Sequence, residues 1–125
     1  MAQSPAPTLQ DLTRRLIAFR DERDWRQFHG LKNLLMCVGI EAGELLELAQ
    51  WKGDGEVEEL AADPAFRQRL GEECADVFIY LLLICERAGI DLAAAADRKI
   101  GVNAAKYPAD RVRGSSRKYT HYTES

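Results

Sequence analysis

Histidine is scarce in this 125-residue chain. There are two, His29 and His121, and neither follows an acidic residue by three positions. A di-iron centre of the ferritin type needs Glu-x-x-His motifs on its helices, so redox iron is excluded. Cysteine is nearly as rare, with Cys37, Cys74 and Cys85 set in apolar helical patterns and no C-x-x-C spacing. An odd count so placed reads as small buried hydrophobes in a reducing compartment, not as a disulfide or zinc framework. No apolar run approaches the roughly 18–20 residues that span a bilayer, and MAQSPAPTLQD has no basic region followed by an apolar one. No membrane association is expected, and a cytoplasmic location is the default. A phosphate loop of the form G-x-x-x-x-G-K-[ST] is also missing, which excludes a P-loop NTPase.

Hydrophobic residues at 46% and charged residues at 30% describe a globular protein of one domain. The net charge of -3 conceals an asymmetry. Between Arg98 and Lys118, seven Lys or Arg residues face the single acid Asp110, a local charge of +6 that leaves the remainder at -9. An acidic body with a basic C-terminal segment suits a polyanion such as a nucleoside triphosphate, with metal bridging the acidic part.

Residues 1–7 are rich in Pro, Ala and Ser and are expected to be disordered. Thr8 and Asp11 resemble a capping box, and the apolar spacing predicts a first helix from about Thr8 to Asp21. ERDWRQFHG, at 22–30, lacks a period and reads as a connection. A second helix is predicted from Leu31 to Trp51, stopped by Gly53-Asp-Gly55. Asp63-Pro64 opens a third that runs to Ala88 before Gly89, and Asp91 caps a fourth that ends at Tyr107-Pro108. The expected fold is all-α, a four-helix bundle over 8–110 with a basic tail at 111–125. Broad apolar faces on so short a chain point to completion by oligomerisation.

The chemistry lies in acids placed where apolar residues prevail. Glu41 and Glu44 are three apart on the second helix, as are Glu73 and Asp76 on the third, so each pair shares a face. Asp76 adjoins the run Val77-Phe-Ile-Tyr-Leu-Leu-Leu-Ile84, where an unpaired buried carboxylate costs several kcal/mol. Two carboxylate pairs facing a common groove offer the hard oxygens that Mg²⁺ or Mn²⁺ prefers. E-x-x-E alone is more often a solvated helix face. Glu47 continues the spacing but points elsewhere, either an added ligand or rim, and Glu72 reads as surface.

These segments resemble the MazG-like all-α nucleoside triphosphate pyrophosphohydrolases, and within them the dCTP pyrophosphatase branch. The resemblance rests on FRDERDWRQFH (19–29), KNLL (32–35), EAGELLELAQWK (41–52), EECADVFIYLL (72–82), the K-x-x-x-N-x-x-K-Y-P pattern of Lys99 to Pro108, and GSSRKYT (114–120). It implies Mg²⁺-dependent hydrolysis of a deoxynucleoside triphosphate, dCTP or a modified dCTP, to the monophosphate and pyrophosphate. The resemblance puts Glu41, Glu44, Glu73 and Asp76 on the metal ligands, with one of the glutamates orienting or deprotonating the attacking water. Lys99, Asn103, Lys106 and Tyr107 would bind phosphates and sugar, with Arg117 and Lys118 further candidates. Trp25, His29, Trp51 and Tyr80 would surround the base, where His29 or Asn33 could hydrogen-bond its edge. Ala104-Ala105 stands where the family often has basic residues, which bears on how tightly phosphates are held. The implied partner is the nucleotide, with no nucleic-acid polymer, and the implied assembly is a homodimer or homotetramer. Two alternatives stay open: a MazG-like enzyme of broad or different base specificity, and a non-catalytic nucleotide-binding helical module.

Overall fold

The computed structural model describes residues 5–115, and these are helical without strands. Six helices follow in order: α1 (Leu9–Glu22), α2 (Leu31–Glu47), α3 (Asp54–Leu60), α4 (Pro64–Ala88), α5 (Leu92–Lys106) and α6 (Ala109–Val112). The four long ones, α1, α2, α4 and α5, are those the apolar spacing predicts. They divide into two compact units that meet at Ile90 and Asp91.

In the first unit α1 and α4 start where the sequence supplies a side-chain acceptor for the free amides of the first turn, whereas α2 and α3 start at Gly30 and Gly53 without one. Thr8 Oγ1 accepts from the Asp11 amide at 3.1 Å while Asp11 Oδ2 accepts from the Thr8 amide at 3.0 Å, a closed capping box. Asp63 Oδ2 accepts from the Phe66 amide at 3.0 Å, with Pro64 holding the first helical position. α4 stops at Gly89, whose φ of 70° only glycine adopts cheaply. The Gly89 amide donates to the Glu86 carbonyl and the Ile90 amide to that of Cys85, which closes a Schellman motif.

α2 is four residues shorter than expected. Its last turn tightens through three successive i to i+3 bonds, from Leu48 to Leu45, Ala49 to Leu46 and Gln50 to Glu47. Trp51 then takes the left-handed conformation at φ 64°, ahead of Gly53. Gly53 is extended and caps α3, with Asp54 and Glu56 in a first turn where negative charge is favoured. The Gly-Asp-Gly segment thus opens a helix instead of only closing one.

α2 packs chiefly on α4, and α1 on α4. Cys37 meets Tyr80 and Glu41 meets Asp76, so as α2 advances α4 retreats, and the two run antiparallel. Leu34, Leu48, Phe66, Leu82 and Leu83 form the buried core. The α1 contact is pinned by Arg20, whose Nη1 donates to Glu86 Oε2 at 3.2 Å across 66 residues of sequence. Cys37 and Cys85 are half-buried and free, but Cys74 is exposed, contrary to expectation. One residue is 100° of helix, so Glu73 facing α2 carries Cys74 off that interface.

In the second unit Asp91 Oδ1 accepts from the Ala94 amide at 3.0 Å and starts α5. The helix ends at Tyr107, which Pro108 holds out of the α conformation.

Leu34, 2% exposed, makes the sharpest test of the packing. Leu34→Ala is expected to lower unfolding free energy by about 2–5 kcal/mol. A urea titration followed by circular dichroism measures it.

Candidate active site

Where α2 and α4 face each other, Glu41, Glu73 and Asp76 each offer a carboxylate oxygen, and the three oxygens lie within 4.8 Å of one another. Opposite ligands of a Mg²⁺ with bonds of about 2.1 Å stand about 4.2 Å apart, so a small closure would wrap them around one ion. Burial pushes the Glu41 carboxyl above its ordinary value, helped by a hydrogen bond with Glu44 and by the charges of Glu44, Asp76 and Glu73. Burial also raises Glu73, with the charges of Glu44 and Asp76 adding and that of Arg69 opposing. Glu41 Oε2 and Glu73 Oε2 are sealed from solvent without a hydrogen-bond partner. Such oxygens are costly to leave unpaired, and a divalent cation answers them. The residues therefore fit a hard cation. Glu44 stands beside this trio through Glu41, and Glu47 acts on Glu73 only as a weak, exposed charge. Glu72 accepts from Gln68 Nε2 at 3.2 Å, an exposed contact.

Glu41 and Asp76 also line a cavity of about 200 Å³. Its other walls include Arg20, Trp25, His29 and Tyr80, with Leu16, Ile79 and Leu83 as apolar backing. The turn after α1 builds the aromatic wall. The Trp25 amide donates to the Arg20 carbonyl at 3.0 Å, Asp24 turns the chain at φ 53°, and the short 3-10 turn Arg26–Phe28 delivers His29. Phe19 and Trp25 pack edge to face with centroids 5.7 Å apart, and the Arg23 guanidinium lies 3.7 Å from the Phe19 ring centre. Burial lowers the His29 pKa and the Arg20 charge lowers it further, which keeps the imidazole neutral. Its Nδ1 is sealed without a partner. Burial raises the Tyr80 phenol, as do Cys37, through its charge and hydrogen bond, and the charges of Glu41 and Asp76, so it stays protonated.

Trp51 is 92% exposed and does not line the cavity. Asn33 donates its Nδ2 to the Phe28 carbonyl at 3.1 Å, which commits that donor to holding the turn. Lys99, Asn103 and Lys106 share a face of α5 in the second unit, followed by Tyr107. Arg117, Lys118 and His121 fall outside the described residues. Sequence reasoning missed Arg20. Its spacing carries no signal, because its partner Glu86 is reached only through the fold.

The sequence model of the MazG-like family matches residues 36–121, which include both carboxylate pairs. The chain belongs to the MazG-like family. Relatives include the dCTP pyrophosphatase 1 of Homo sapiens, 48% identical over 117 residues that cover 94% of this chain and 69% of that protein. The Rattus norvegicus dCTP pyrophosphatase 1 is 46% identical over the same shares. Among solved structures, a pyrophosphatase from Archaeoglobus fulgidus superposes with a TM-score of 0.75 at 37% identity, covering 86% of this chain and 99% of that one. Among the described residues no helix is long and apolar enough to cross a membrane.

The raised carboxyls give a pH dependence of definite sign. Because Glu41 and Glu73 titrate above 4.5 when folded, the metal-free fold favours their protonated forms. The stability they contribute at low pH is lost as pH rises through the unfolded value and then the raised folded ones. Metal-free Tm should therefore fall from pH 4.5 toward neutrality, and Glu73→Gln should flatten that fall. Mg²⁺ at neutral pH should raise Tm in the native chain and not in Asp76→Asn. Differential scanning fluorimetry across pH, with and without Mg²⁺, reads each outcome.

Proposed function

We propose that this protein hydrolyses dCTP, or a modified dCTP, between the α and β phosphates, releasing the monophosphate and pyrophosphate with Mg²⁺ as cofactor and Mn²⁺ as a substitute. The carrying observation is the trio of carboxylates from α2 and α4, two of them with sealed and unpartnered oxygens, at the wall of an aromatic-lined cavity. The named activity of relatives 46–48% identical agrees with this chemistry.

Glu41, Glu73 and Asp76 would hold the cation, with Glu44 beside them completing the set or orienting the attacking water. When bound, the cation supplies Lewis acidity and neutralises charge at a phosphorus surrounded by negative oxygens. The rest falls to side chains. Trp25 offers an aromatic face for a flat heterocycle, and neutral His29 offers a ring nitrogen to its edge. The protonated Tyr80 can donate a hydrogen bond near the acids without adding to their repulsion. Lys99 and Lys106, with Asn103 and Tyr107, would bind phosphates and sugar.

A panel of nucleoside triphosphates with Mg²⁺, separating pyrophosphate from orthophosphate, tests this. dCTP should yield dCMP and pyrophosphate in equal amounts; orthophosphate alone, or no turnover, sinks the reading. Asp76→Asn and Glu44→Gln should each lower kcat about a hundredfold or more while the helical spectrum is kept.

The protein is also read as a homo-oligomer. Leu31 and Leu35, one turn apart on α2, share an exposed face with Leu46, which is 70% exposed, and Met36 and Ile40 form a second exposed pair farther round the same helix. Exposed apolar surface of this kind favours association. Light scattering should give a dimer or tetramer mass, and Leu35→Lys with Leu46→Lys should shift it toward the monomer. A native monomer at micromolar concentration would refute this.

A further inference from the structure

Arg20 is the one buried charged side chain among the described residues, 5% exposed. A buried guanidinium is tolerated only where its donors are met. Two of them are: Nε donates to Asp21 Oδ1 at 2.9 Å and Nη1 to Glu86 Oε2 at 3.2 Å. Arginine has five N–H groups. Nη2 makes no hydrogen bond among the described residues, and it is not one of the atoms sealed in protein, unlike His29 Nδ1. The residue lines the 200 Å³ cavity, so Nη2 has the cavity to open into.

The cavity's charges are segregated. The charges that act on Glu41 are those of Glu44, Asp76 and Glu73, whereas the charge that acts on His29 is that of Arg20. The anionic wall is therefore the metal side, and the cationic wall lies with Trp25 and His29. A cavity of about 200 Å³ has room for a single heterocycle. What Arg20 meets there is an uncharged ring, and what it requires of that ring is acceptors, since it has none itself.

We propose that Arg20 determines base specificity by donating from Nη2, and from the second N–H of Nη1 that Glu86 leaves free, to the adjacent ring nitrogen N3 and carbonyl O2 of cytosine. Cytosine presents two neighbouring acceptors there, which the planar fork of a guanidinium matches. Uracil and thymine carry an N3–H at the same position, so donor would face donor. The C5 position is not on that edge, so substituents there do not disturb the pairing. This inference rests on the nucleotide hydrolysis proposed above and goes beyond it by naming the residue that selects the base.

The test compares kcat/KM for dCTP, dUTP and 3-deaza-dCTP, whose ring has C–H in place of the N3 acceptor, in the native protein and in Arg20→Lys. Lysine keeps a positive charge but cannot present two parallel donors. The native protein should prefer dCTP over both others by about tenfold to a hundredfold, the range of a hydrogen bond to a charged group. Arg20→Lys should bring dCTP and 3-deaza-dCTP close together. An unchanged ratio in a folded variant, or an equal fall for all three nucleotides, would overturn the proposal, because either places Arg20 outside base selection. Should the variant fail to fold, the native protein decides alone: equal turnover of dCTP and 3-deaza-dCTP overturns it. In those outcomes dCTP is still hydrolysed to pyrophosphate, so the proposed function survives; loss of that hydrolysis in the native protein removes both.

Discussion

Mutual repulsion among carboxylates sets the terms for this fold. Glu41, Glu73 and Asp76 converge between two antiparallel helices, with Glu44 hydrogen-bonded to the first. Two helices carrying these acids would separate if nothing else joined them. What holds them is the apolar contact around Leu34, Phe66, Leu82 and Leu83, worth about 1.5–3 kcal/mol for each fully buried side chain. The core thus balances a local electrostatic debt, and a cation is the group that relieves it. The length of α4, 25 residues with firm caps at both ends, keeps Glu73 and Asp76 in register with α2 while that repulsion persists.

A second constraint acts at the cavity, where polarity must be kept neutral beside strong charge. His29 and Tyr80 both line it, and burial shifts each toward its uncharged form, the imidazole down and the phenol up. Neutral groups can hydrogen-bond a heterocycle without joining the ionic interactions of the acids. Arg20 is the exception, and it is held by Asp21 and Glu86.

Much of this is legible in the sequence. The caps Thr8, Asp63 and Asp91 and the stop at Gly89 carry their own local chemistry, so α1, α4 and α5 could be placed from them, while α2, without a side-chain cap, rests on apolar spacing alone. Likewise, Glu41, Glu73 and Asp76 stood out because they interrupt apolar runs. What escaped is whatever depends on backbone choice or on distant partners. Gly53 serves equally as a helix stop or an N-cap, and its extended backbone settles the matter only in the fold. Trp51 occupies the left-handed region that glycine would favour, a conformation no propensity assigns to tryptophan. The salt bridge between Arg20 and Glu86 spans helices whose meeting no periodicity announces.

Arg20 contributes twice, its carbonyl receiving the Trp25 amide and its side chain walling the cavity. The segment that shapes the aromatic wall of the cavity, residues 19–29, is consequently separate in the chain from the helices that carry the acids. On the function proposed above, recognition and hydrolysis are modular: drift in one short segment would retune which nucleotide is accepted while the reactive groups stay untouched. A scaffold divided this way is evolvable, able to change its diet without relearning its chemistry.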